Sequence, residues 1–167
     1  PAIDAALDVI AAETARLELL ASLGPDQLGL ATESGILDRT RVDTIENLVG
    51  IVEATAERIF IDQVPNAEKV VKGKGKIFQR LNDTADLYRD HLNNDIRTRL
   101  AGSWTQLEHC WAARHVFTHC DGIVVAKYLT VVSNSPLSVG QRLRISAELA
   151  QSALANTTRL VQSFSAA

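Results

Sequence analysis

The 167 residues are 46% apolar and 22% charged, with a formal net charge of −3. That balance excludes a disordered chain and any whole-molecule attraction to nucleic acid or anionic membrane, so a polyanion site would have to be a local patch. Asp, Glu, Arg or Asn interrupts each hydrophobic stretch before it reaches the roughly 20 apolar residues of a membrane span. The opening Pro1-Ala2-Ile3-Asp4 has no basic run and does not read as a signal peptide. A start at Pro1 without Met reads either as Met removal or as excision of 1–167, taken as one helical domain, from a longer chain. Cys110 and Cys120 are the only cysteines. On one helix they would stand about 15 Å apart, too far for a disulfide, and they read as free thiols in a reducing cytoplasm.

In chain order, Ile3, Ala6, Leu7, Ile10, Thr14, Leu17 and Leu20 recur at three- and four-residue steps, predicting a first helix ended by Gly24-Pro25. Asp26 to Leu37 reads as a loop or a short helical turn, with Gly29 and Gly35 against anything longer. A second long helix buries Ile45, Leu48, Val49, Val52, Ala56, Ile59 and Phe60. Asp43 and Glu46 resemble a capping box at its start, and Pro65 closes it. Between Glu68 and Arg80, Lys69, Lys72, Lys74 and Lys76 hold four of the chain's five lysines, with Gly73 and Gly75 among them. This segment lacks the spacing of a Walker loop. It reads as a solvated connection or as a loop making RNA-phosphate contacts.

A third helix is predicted from Ile77 to Leu92, with Phe78, Leu81, Ala85, Tyr88 and Leu92 inward. After Asn93 to Gly102, a polar break or a short helix, comes Ser103 to His119, opened by a serine able to cap and closed near Gly122. Ile123 to Val132 is β-branched and fits a short helix, a strand-like segment or a turn. Gln141 to Ile145 alternates, but is too short to support a sheet. A final helix starts near Ser146 and buries Leu149, Ala150, Ala153, Leu154, Thr157, Leu160, Val161 and Phe164. The fold expected is all-α: an up-and-down helical bundle of four main helices plus short ones.

The chemistry concentrates between Trp104 and Tyr128. At 100° per residue, Leu107, Cys110, Trp111 and Phe117 define one apolar arc with Arg114 near its middle. A guanidinium cannot shed its charge, so on a buried face it needs a partner or a cleft. His115 and His119 lie one turn apart at the edge of the same arc. Three readings follow. Arg114 meets a carboxylate from another helix, and His119 favours the negative helix end. Or His115-x-x-x-His119 is a metal pair, although Val116 stands where a zincin needs its glutamate and no third ligand is evident. Or the residues cleave RNA: a histidine takes the 2′-hydroxyl proton or protonates the leaving 5′-oxygen, and arginine clamps the phosphate oxygens. One protomer supplies part of that set, and a two-fold dimer would supply all of it.

The run Arg114-His115-Val116-Phe117-Thr118-His119 resembles the R-x(4–6)-H signature of HEPN domains, helical RNA-targeting and toxin-type proteins. Trp104, Ala113, Gly122, Val124 and Tyr128 fall in the order of many bacterial members. Gly140 to Phe164 resembles the tail of the group labelled RiboL-PSP-HEPN. His115 stands where Asn is commoner, and Cys120 replaces the usual Asn. The resemblance implies a homodimer with a shared cleft and a metal-independent endoribonuclease acting on single-stranded RNA, with no cofactor. Arg114 would be the transition-state clamp, His119 the acid/base, with His115 beside them. It also implies a toxin or defence setting, with an antitoxin or other protein partner. Some members have lost catalysis and serve as dimerisation or protein-interaction modules. Residues five apart on a straight helix point about 140° from each other. Convergence of Arg114 and His119 therefore requires either the arginine's long arm or a loosened last turn.

Overall fold

Proline, glycine and asparagine set most element boundaries in the computed structural model, which describes residues 1–165. Helix α1 (Ala2–Ala21) ends before Gly24, and α2 (Pro25–Glu33) begins at once. The sequence leaves this stretch as a loop or single turn. Pro25 sits where its missing N–H needs no partner, and the Gln27 side-chain oxygen accepts the Gly24 N–H at 3.4 Å. Helix α3 (Ile36–Gln63) starts a full two turns before the expected cap at Asp43. Asp43 lies inside it, paired with Arg39 one turn earlier at 2.8 Å. An acidic residue three before a glutamate marks an exposed helix face as readily as a helix start.

After Pro65 the chain forms α4 (Ala67–Val71), then a single 3-10 turn (Ile77–Gln79) and α5 (Leu81–Leu92). The expected continuous helix from Ile77 is broken at Arg80, whose backbone is extended (φ −99°, ψ 104°). Ile77, Phe78 and Leu81 are all buried. The extended backbone at Arg80 separates the 3-10 turn, which buries Ile77 and Phe78, from α5, which buries Leu81. Helix α6 (Ile96–Arg99) is capped by Asp95, which accepts from Thr98 N–H at 3.0 Å. Next come α7 (Ala101–Cys120), α8 (Ala126–Val131) and α9 (Ala147–Ser163). Ser103 is not the cap of α7. It is buried in the helix, its hydroxyl accepting from Arg159 of α9 at 3.0 Å. Ser146 does cap α9, accepting from Leu149 N–H at 3.1 Å.

Helices α1, α3 and α9 pack against one another, and α7 packs on α3 and α9. The fold is an all-α bundle built on these four long helices. Ile45, Leu48, Val52, Ala56 and Phe60 of α3 are essentially solvent-free and form its axis. Phe60 meets Phe78 and Tyr88, and Tyr88 meets Phe164, with centroids 5.0 to 6.0 Å apart. Among the described residues there is no strand. Ile123 and Arg142 form one isolated antiparallel bridge, flanked by the bond from Leu143 N–H to Gly122 O at 2.8 Å. That bridge ties the approach to α8 to the segment before α9. No helix among the described residues is long and apolar enough to cross a membrane.

Candidate active-site cleft

Helix α7 presents two faces. Its buried seam runs through Trp104, Leu107, Cys110, Ala113 and Val116, the last four at 0% exposure. Trp111 and Phe117, expected on the apolar arc, are only partly buried, and the seam instead takes in Ala113 and Val116. Arg114 therefore stands at the shoulder of the seam rather than on its floor. Burial pushes the Cys110 thiol up to about 12, so it is an inert core group. Cys110 and Cys120 are both unpaired.

The second face, Glu108, Trp111, Ala112, His115 and His119, follows three- and four-residue steps and forms one wall of a cleft of about 470 Å³. Arg114 joins it from the side. Opposite stand Lys76, Gln79, Arg80, Leu81 and Asn82 from the kinked entry to α5, and Lys127, Tyr128 and Val131 from α8. The kink at Arg80 is thus also what builds the far wall. Trp111 Nε1 donates to Gln79 O at 3.0 Å and locks that turn to α7. Asn82 donates its amide to Glu108 at 3.1 Å and accepts from Trp104 Nε1 at 3.3 Å. Arg80 pairs with Asp83 and donates to Lys74 O at 3.1 Å.

The α8 wall depends on how α7 ends. Asp121 and Gly122 both adopt left-handed backbone (φ 50° and 73°), and Gly122 N–H returns to Val116 O at 3.1 Å. A Cβ at Gly122 would lie 3.0 Å from Arg142 Nη1 and 3.2 Å from the Phe117 ring, so at this positive φ any side chain adds crowding to backbone strain. Tyr128 is buried at 7% exposure, and burial raises its phenol above the ordinary range.

The expected carboxylate partner of Arg114 is missing. Among the described residues, Arg114, Lys76 and Lys127 have no Asp or Glu oxygen within 4.0 Å. The rings of His115 and His119 lie 4.9 Å apart. His115 is held below the ordinary histidine value, first by burial, then by the charges of Lys127, His119 and Arg114. Helix α7 remains α-helical through Cys120, so no loosened turn brings Arg114 to His119. Both nevertheless line the same cleft, which leaves the convergence to the arginine's reach. Among the described residues no three His, Cys, Asp or Glu side chains are placed to hold a metal ion.

Of the four lysines between Glu68 and Arg80, only Lys76 lines the cleft. Lys69, Lys72 and Lys74 are exposed and stand outside its lining. Glu108 is a cleft residue that the sequence motifs do not single out, although its spacing to Trp111, His115 and His119 carries the signal. Arg80, Asn82 and Lys127 come from other elements and have no local signature. Compared with known proteins, the chain matches no family model, no curated protein and no solved structure.

Proposed function

We propose that the protein is an endoribonuclease of the HEPN type, working without a metal on single-stranded RNA as a homodimer in a toxin or defence role. The observation that carries this reading is Arg114, a permanent cation without a carboxylate partner among the described residues, in one cleft with two imidazoles 4.9 Å apart. A structural arginine would be expected to be paired. Lys76 and Lys127, also without a carboxylate partner among the described residues, add positive charge around the same space, which suits a phosphodiester backbone despite the net charge of −3.

The chemistry balances with these groups. The 2′-oxygen attacks the adjacent phosphorus as its proton passes to a neutral imidazole, for which His115, held low, is suited. The P–O5′ bond breaks on the opposite side of the phosphorus, where His119 of a second copy, as imidazolium, protonates the leaving oxygen. Arg114 holds the non-bridging oxygens as negative charge builds on them. The products are a 2′,3′-cyclic phosphate and a 5′-hydroxyl. A second copy would bring its own set across the cleft, and Val131, 40% exposed at the cleft, offers it an apolar foothold.

The test is incubation of RNA with pure protein in EDTA, with end-group analysis. Wild type yields cyclic phosphate ends, while Arg114→Ala and His119→Ala do not. Cleavage that persists in both variants overturns the assignment. An intact dimer without RNA cleavage, lost on Arg114→Ala, would instead make the cleft a dimerisation or protein-interaction surface.

A further inference from the structure

Glu108 is an unexpected occupant of a cleft lined by Lys76, Arg80, Arg114 and Lys127. A carboxylate there repels phosphate, so if the cleft holds RNA its place needs another reason. Its position is fixed. Asn82 Nδ2 donates to Oε1 at 3.1 Å, and Asn82 Oδ1 in turn accepts from Arg97 Nη2 at 3.1 Å and from Trp104 Nε1. Arg97 is itself anchored by Asp86 at 3.2 Å and lies over the Trp104 ring. No Lys, Arg or His of the described residues pairs with Glu108 within 4.0 Å. The carboxylate is oriented by a neutral amide and left open towards the cleft.

One turn further along the same face is Trp111, partly exposed, with its indole N–H already committed to Gln79 O. Its ring is a fixed apolar surface of the kind on which unpaired bases stack. Residues at i and i+3 are neighbours, so a base on Trp111 presents its edge to Glu108. His115 lies seven residues from Glu108, about 10 Å along the helix axis, the scale of one nucleotide from base edge to flanking phosphate.

Resting on the ribonuclease reading, we infer that Glu108 is a specificity-determining residue that selects guanine beside the scissile phosphate. Guanine alone offers two adjacent donors, N1–H and the N2 amino group, to a carboxylate fork. Adenine and cytosine set a lone pair beside their amino group, and uracil flanks its single N–H with two carbonyls, so each meets the second oxygen with repulsion. A bidentate match of this kind corresponds to roughly ten- to a hundredfold discrimination.

The experiment has two arms. In the first, oligouridines carrying one central guanosine, inosine or adenosine are cleaved by wild type and by Glu108→Gln, an isosteric change that keeps an acceptor for Asn82. Wild type cuts beside guanosine ten- to a hundredfold faster than beside adenosine, inosine falls between them because it lacks the N2 amino group, and Glu108→Gln levels the series. In the second arm, binding of GMP, IMP and AMP is titrated calorimetrically with the same two proteins, a readout that needs no cleavage. RNA cleavage without guanine preference, or a preference that survives Glu108→Gln, overturns the inference and leaves the ribonuclease reading standing. Glu108-dependent GMP binding without any RNA cleavage overturns the ribonuclease reading and keeps Glu108 only as a guanine-binding residue. Absence of RNA cleavage together with absence of GMP binding removes both.

Discussion

Two charged side chains on the long helices make an instructive pair. Glu13 of α1 is 8% exposed, and every part of it is accounted for. Its oxygens accept from Thr44 and Asn47 of α3, both at 2.8 Å, and Arg16 stands 3.7 Å away. Arg114 of α7 is less deeply buried but has no such partner, although ten ion pairs form elsewhere among the described residues. The first charge is neutralised locally and holds two helices in register. The second is left with its donors unspent beside a cavity. Where a fold closes its electrostatics the charge is structural, and where it leaves them open the charge is available to a ligand.

That contrast is broken most directly by removing each charge and reading both stability and activity. Arg114→Ala should reduce RNA cleavage by about 10²–10³-fold, the loss seen when a preorganised transition-state donor is deleted. Its effect on stability should stay within about 0.5 kcal/mol, since no native partner is orphaned. Glu13→Ala should do the opposite. It strands the Thr44 hydroxyl and the Asn47 amide in the α1–α3 interface, and it leaves Arg16, whose Nε has no hydrogen-bond partner, with only its bond to Thr40 O. The expected cost is about 2–4 kcal/mol, a melting temperature lower by roughly 5–15 °C, with cleavage unchanged below the transition. A large loss of stability in Arg114→Ala would mean the two charges are of one kind after all.

The bundle is largely legible in the sequence because its signals are local. Apolar steps of three and four locate α1, α9 and most of α3, and Ser146 marks a true cap. What misleads is punctuation read without tertiary context. Asp43 resembles a cap yet lies inside α3, and Ile77 looks helical although both it and Phe78 have to face the core. The site divides in the same way. Arg114, His115 and His119 share a helix, so their juxtaposition is encoded by spacing. Arg80 and Lys127 reach the cleft only because a backbone kink and a glycine turn deliver them, and no sequence period records that.

The turn at Gly122 sharpens the comparison from a different side, because it joins the buried seam of α7 to the open cleft. Gly122→Ala places a Cβ against Phe117 and Arg142 at a positive φ, for an expected loss of about 1–2 kcal/mol. Gly140, with φ 90° and no atom within 4 Å of where a Cβ would stand, is the matched control. Gly140→Ala carries the backbone strain without the collision, so the difference between the two melting temperatures isolates the close approach. RNA affinity should fall further for Gly122→Ala, since that turn leads directly into the α8 wall bearing Lys127 and Tyr128, whereas Gly140 touches the approach to α8 only through its N–H bond to Val124 O at 2.9 Å. Equal losses in both variants would show the collision to be relieved by movement of Arg142.

The smallest expected effect concerns protons. His115 is held below its ordinary 6.5 by burial first and by Lys127 next. As the base in cleavage it must be neutral, so activity is lost as pH falls through its folded value. Removing a nearby positive charge makes the imidazolium easier to form. Lys127→Gln should therefore move the acidic limb of the pH–rate profile to higher pH, and added salt should move wild type the same way while barely affecting the variant. Stability carries the same sign. Below about 6.5 the unfolded chain takes up this proton before the folded one does, so the fold loses stability as pH falls from there towards the folded value, and Lys127→Gln lessens that loss. A limb that stays fixed, or shifts to lower pH, would place the titrating base elsewhere than at His115, leaving Arg114 open but without the imidazole that makes its openness useful.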